Sequence, residues 1–222
     1  MVRDMQSDCI CLPRVVALAS ALALALSAAA CESHDDDDHD HDENEIISLV
    51  ELTFTPAGGG APLVFEFNDP DGDGGVSGVS EQIDLTAGVE YSLGVRFVNS
   101  LAEPPEDITE EVKAEAEEHL VFVLGDVAGP ASTASSALVT HAYGDRESDY
   151  GTNAVGDDLP VGLVHTITAT DAGSGKLRLI LRHLPELNGQ PQKTGELPAE
   201  LAAGRDLPGS VDVDVSFDLV VS

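Results

Sequence analysis

The chain is 222 residues long, carries a formal net charge of -31 at pH 7, and contains three cysteines, few aromatic residues and no tryptophan. Phosphate binding needs basic patches, so this balance excludes nucleic acid as a partner and argues against adhesion to an anionic lipid surface. A surface this acidic fits a saline habitat, the attraction of cations, or plain solubility.

Residues 1–14 hold Arg3 and Arg14, and residues 15–26 form an apolar run. A helix needs about 20 residues to cross a bilayer core of roughly 30 Å, so the run reads as the h-region of a signal peptide. Ser27, Ala28, Ala29 and Ala30 follow, then Cys31. Small residues before a cysteine mark a lipoprotein signal, whose cysteine receives a diacylglycerol. Ordinary secretory cleavage after Ala30 is the alternative, and both begin the mature chain at Cys31. The expectation is a lipidated Cys31 that anchors the protein to a membrane, each buried methylene contributing about 0.8 kcal/mol. Glu32 is not the aspartate that retains lipoproteins in the inner membrane, so the outer membrane is expected, on either its periplasmic or its surface face. Cys9 and Cys11 leave with the signal, and the mature chain can form no internal disulfide.

Residues 31–45 contain His34, His39 and His41 among aspartates and glutamates, with no apolar side chain to bury after Cys31. Such a stretch is expected to be a disordered tether. Imidazoles among carboxylates suit zinc or copper, although a spacer role explains the same composition.

From residue 46 to residue 222 the pattern is that of a single domain of short strands separated by Gly, Pro, Asp and Asn. Val50, Leu52 and Phe54 alternate in 46–56, and Leu63, Phe65 and Phe67 in 62–68. Tyr91, Leu93, Val95 and Phe97 alternate in 89–99, and the last strand, 211–219, reads Val-Asp-Val-Asp-Val-Ser-Phe-Asp-Leu. Further strands are predicted at 120–124, 137–143, 161–170 and 176–183. Alternation places one face in the core and one in water. The predicted fold is mostly β, an immunoglobulin-like β-sandwich with one short inserted helix. That helix is predicted at 107–118. Asp107 and Glu110 have the spacing of a capping box, and Ile108, Val112, Glu115 and His119 fall on one stripe.

Three groups of residues are candidates for chemistry. Asp69, Asp71 and Asp73, with Gly74 at the sixth position, open like a calcium loop. The closing acid is missing at the twelfth position, which is Ser80, so a calcium-binding turn and a merely polar turn both remain. His119, His141, His165 and His183 all fall on apolar registers, where a half-buried histidine bonded to a carbonyl is the plain explanation. His119 and His183, joined by Glu115, are the candidate folded metal site, provided the imidazoles lie within about 8 Å. Finally, Asp145, Glu147, Asp149, Asp157 and Asp158 cluster in one long loop, which a cation or partner surface explains as well as catalysis by a hydrolase of unrecognised type does. Sequence signatures of enzymes are missing: there is no nucleophile elbow, His-Glu-x-x-His, phosphate loop or dinucleotide glycine pattern. The expectation is therefore a protein that is not an enzyme.

The Cys31 junction and its His/Asp tail, Glu43-Asn44-Glu45-Ile46-Ile47, Leu52-Thr53-Phe54-Thr55-Pro56 and Asp69-Pro70-Asp71-Gly72-Asp73-Gly74 belong to one set of motifs. Asp107-Ile108-Thr109-Glu110-Glu111, Glu118-His119 and Leu181-Arg182-His183-Leu184-Pro185 complete it. With these motifs the chain resembles a group of small bacterial lipoproteins from Bacteroidetes-like genomes, sometimes labelled a type 1 periplasmic binding fold. That label implies two α/β lobes, for which this chain has neither the length nor the helices. The resemblance implies a location near outer-membrane receptors for metals, and His119 and His183 lie within the matching stretches. The functional expectation is an envelope-anchored lipoprotein that binds a divalent transition metal, zinc or copper, for buffering or delivery to a transporter. The alternative is a calcium-stabilised interaction or adhesion module in which Asp69, Asp71 and Asp73 matter and the histidines do not.

Overall fold

The computed structural model describes residues 46–72, 78–154 and 156–222. The expected signal peptide, Cys31 and the tether with His34, His39 and His41 lie outside them. The described residues form twelve strands: β1 (Leu49–Pro56), β2 (Leu63–Asn68), β3 (Val79–Ser80), β4 (Ile83–Leu85), β5 (Glu90–Val98), β6 (His119–Gly125), β7 (Val127–Gly129), β8 (Ser132–Thr133), β9 (Val139–Tyr143), β10 (Val164–Ala169), β11 (Gly173–His183) and β12 (Ser210–Val221). Helix α1 (Thr109–Ala114) follows β5 and α2 (Leu197–Ala202) precedes β12. An eight-stranded sheet runs β3-β2-β1-β5-β10-β9-β7-β8, and a four-stranded sheet runs β4-β12-β11-β6. The protein is a two-sheet β-sandwich, as the alternation predicts.

Leu52, Phe54, Leu93, Phe97 and Ile167 of the larger sheet share one core with Val123, Leu177, Leu179, Phe217 and Leu219 of the smaller. Fully burying a large apolar side chain contributes about 1.5–3 kcal/mol, so these positions set the register of each strand. The run 120–124, Leu-Val-Phe-Val-Leu, does not alternate because β6 is covered on both faces. Val121 and Val123 enter the main core, while Leu120 and Phe122 join a second one with Ile180, Leu184 and Leu197. Helix α2 supplies that outer cover. Its signal in the sequence is a single two-turn segment, Leu-Pro-Ala-Glu-Leu-Ala, too short for periodicity to reveal.

The inserted helix is shorter than its stripe. It ends at Ala114, and Ile108 rather than Asp107 occupies the cap position, without a side-chain cap bond. The expected capping box does not form. Asp107 instead accepts the Thr109 N–H at 3.2 Å and faces the Arg96 guanidinium at 3.0 Å, while Glu110 pairs with Lys113. The helix is fastened through Thr109, whose hydroxyl accepts from the Phe97 N–H at 2.9 Å and donates to the Phe97 carbonyl at 3.1 Å.

Two of the four register histidines meet inside the sandwich. His141 Nε2 and His165 Nδ1 are 2.9 Å apart, in rings 6% and 0% exposed. One proton shared between two neutral imidazoles leaves one outer N–H and one outer lone pair. Neither outer atom, His141 Nδ1 nor His165 Nε2, makes a well-formed hydrogen bond, although the Gly162 backbone lies close enough to His165 to favour its protonated form slightly. Tyr143 packs against both rings, and its hydroxyl also lacks a partner. Burial, with the His165 charge, lowers His141 to a pKa of about 3, and burial lowers His165 to about 4, with Gly162 opposing. The unfolded chain therefore takes up protons near the ordinary value of 6.5, before the folded chain does. Stability should be full above that value and fall steadily as pH drops from about 6.5 toward 4. Urea midpoints across this range should show the slope, and His141→Leu/His165→Leu should make it shallower, leaving the part due to other buried groups such as His119. An unchanged slope in the double variant would contradict the assignment.

Candidate metal centre

The site forms where α1 gives way to β6. After Ala114 the Glu115 N–H still reaches the Glu111 carbonyl, but Glu115 has φ -109° and ψ 39°, which stops the helix. The Glu118 N–H then closes a turn on the Glu115 carbonyl at 2.8 Å, and β6 starts at His119. His119 is thus a strand residue, not the end of the predicted helical stripe. Strand β6 pairs antiparallel with β11, and the register places His119 directly opposite His183. Directly opposed residues have side chains close enough to interact. The two rings stack with centroids 4.7 Å apart and planes 7° from parallel.

Glu115, His119 and His183 each offer a ligand atom within 4.8 Å of the others, the one group of three His or acidic side chains so gathered among the described residues. His119 is 1% exposed, and its Nδ1 lies 3.2 Å from the Glu115 carbonyl oxygen. A carbonyl only accepts, so the neutral ring carries its proton on Nδ1 and keeps its lone pair on Nε2. Glu115 Oε2 lies 4.0 Å from that same Nδ1, so the hydrogen-bonded edge of the ring also faces the acid. Burial lowers the His119 pKa to about 4, helped by the charges of His183 and Lys193 and opposed by the bond to the Glu115 backbone. At neutral pH the ring is therefore uncharged, the form that binds metal.

His183 Nε2 is buried without a hydrogen bond, 3.5 Å from Glu118 Oε2. Asp212 lies near the same ring. Its Oδ2 is buried without a partner, and burial raises its pKa against the influence of His183, Ser210 and Arg182. Two imidazoles with Glu115 make a mixed nitrogen and oxygen set, of the ligand types that can hold a metal ion. In-plane lone pairs of parallel rings run side by side. A shared ion therefore requires one imidazole to turn about its Cβ–Cγ bond.

The surrounding acids have mostly structural work. Asp145 accepts from the N–H groups of Gly162, Leu163 and Val164 at 2.7–3.0 Å and from the Tyr150 hydroxyl at 2.8 Å. Glu147 accepts from Asn153, the Leu159 N–H and buried Lys193. Asp149 and Asp158 bond the backbone of Arg146 and Ser148. The loop acids that suggested a cation or partner surface are thus largely turned onto their own chain. Breaking the Lys193–Glu147 pair would leave a buried charge unmatched, at about 3–5 kcal/mol. Of the calcium candidates, Asp69 is buried at the end of β2, Asp71 is exposed and Asp73 lies outside the described residues.

Glu115, His119 and His183 are therefore brought together, with His119 on a strand rather than on the expected helix, and His141 and His165 form a separate pair. Glu118, Asp212 and Lys193 were not anticipated. Nothing in their local sequence distinguishes them, except that Lys193 is one of few lysines in a very acidic chain. No family model, curated protein or solved structure matches the chain. What defines the molecule is a β-sandwich whose His/Glu cluster has the ligand types to hold a metal ion.

The tautomer assignment is open to direct measurement. Long-range proton–nitrogen spectra of the metal-free protein should show His119 as the neutral Nδ1–H form at pH 7 and free of imidazolium down to about pH 5. Titration of His119 near 6.5 would contradict its burial-lowered pKa.

Proposed function

We propose that this protein is a lipid-anchored envelope protein that binds a divalent transition metal, zinc or copper, and buffers it or passes it to a transporter such as an outer-membrane metal receptor. The observation that carries the reading is the convergence of Glu115, His119 and His183. A buried imidazole held neutral, the form that binds metal, supports it. The anchor rests on the Cys31 junction, and the tail histidines His34, His39 and His41 would add a second, looser capture element. Three protein ligands leave room for an exchanging partner, which suits transient holding better than permanent structure.

Zinc calorimetry on residues 32–222 and on residues 46–222 tests the reading. One site should survive in the shorter chain, and His119→Ala or His183→Ala should weaken it by about 10-fold or more, as expected for a lost ligand. Binding confined to the longer chain would make the tail the sole metal element. Absence of binding in both would overturn the proposal, and a calcium-dependent gain in thermal stability without a zinc effect would favour the adhesion alternative. The anchor has its own readout: Cys31→Ala should release the protein from membranes.

A further inference from the structure

We propose that Lys193 is a positioning residue for the turn Glu115–His119, an inference that rests on the metal-binding reading of that turn. Its ammonium crosses 77 positions of sequence to donate to the Ala116 carbonyl at 2.6 Å. Ala116 follows Glu115 directly and lies beyond the last helical residue, so its carbonyl belongs to those a helix end leaves without an intrahelical donor. On its other side the ammonium meets Glu147 Oε1 at 2.7 Å, and the two side chains are 1% and 3% exposed. Glu147 is itself fixed: its carboxylate accepts from the Leu159 N–H and Asn153, both at 3.1 Å, and its own N–H donates to the Leu159 carbonyl at 3.0 Å.

The turn is held at a second point as well. The Leu184 N–H, one residue past His183, donates to the Glu118 carbonyl at 2.6 Å. Lys193 thus secures the Glu115 end while β11 secures the His119 end. Charge-assisted bonds are shorter and stronger than neutral ones, which suits a lysine to this task. A ligand constellation must be held within about 0.5 Å of its working geometry. The turn has no helix or sheet partner of its own at Ala116, and the ammonium takes that place. Lys193 also sits near enough for its charge to be felt at His119.

The test uses the full chain with His34→Ala, His39→Ala and His41→Ala, so that the tail does not compete for metal. Zinc affinity, by competition with a chromophoric chelator, and the Tm of the metal-free protein are both measured. Lys193→Met/Glu147→Gln leaves no buried charge unpaired and should weaken zinc binding by about 10-fold or more, the range for lost outer support of metal ligands. Phe54→Leu, remote in the larger sheet, should lower Tm while leaving affinity within about two-fold. Glu147→Gln alone leaves the ammonium bonded to Ala116 but without its buried carboxylate, so it should lower Tm more than the double variant while weakening zinc binding less; Lys193→Gln/Glu147→Gln, also free of buried charge, serves if the methionine variant does not fold. Undiminished zinc binding in the folded double variant, affinity that merely tracks Tm through Phe54→Leu, or a greater affinity loss in Glu147→Gln than in the double variant would each overturn the positioning role. If the tail-substituted parent binds no zinc, the metal reading itself fails, and Lys193 has no centre to position.

Discussion

Strand β11 is the constraint on which the rest depends. It lies between β12 and β6, and Leu177, Leu179 and Leu181 must all enter the main core. A slip of one residue would expose every one of them. In that register the end of β11 brings His183 opposite the first residue of β6. The cross-strand histidine pair is thus a by-product of core packing, and Glu115 joins it because the intervening turn is short.

The register shift between Leu181 and Arg182 modifies this arrangement locally. Bulges re-aim side chains near the ends of sheets. Here the pairing of β11 with β12 skips Asp212, which comes to lie beside His183. Arg182 turns its guanidinium to the carbonyls of Leu207, Pro208 and Gly209, tying the segment before β12 to β11. The site is consequently bordered by three elements, the α1–β6 turn, the end of β11 and the start of β12, each fixed by contacts of its own.

Period-two patterning made the strands legible, because one face of most of them is buried: β1, β5 and β12 fall close to the predicted ranges 46–56, 89–99 and 211–219. The short pairings β3, β4, β7 and β8 were not legible, since two or three residues carry no period. At the site, Glu115 and His119 were readable as neighbours from their four-residue spacing and His183 from its strand register, but neither signal placed His119 opposite His183. Helical periodicity misplaced His119 on α1 because a stripe of four positions cannot show that the chain leaves the helix at Ala114. Lys193 and Asp212 reach the site by long-range pairing and by a bulge, neither of which leaves a mark in the local sequence.

The burial of Lys193 has a consequence for chemical labelling. Acylating reagents require a solvent-exposed, unprotonated amine, and this side chain is 1% exposed and held by a carboxylate. Lys113 and Lys176, by contrast, have side chains 37% and 59% exposed. Slow acylation at residue 193, set against fast acylation at the other two, would act as a clock for how often the region around Ala116 and Glu147 opens, with the unmodified protein as its own reference.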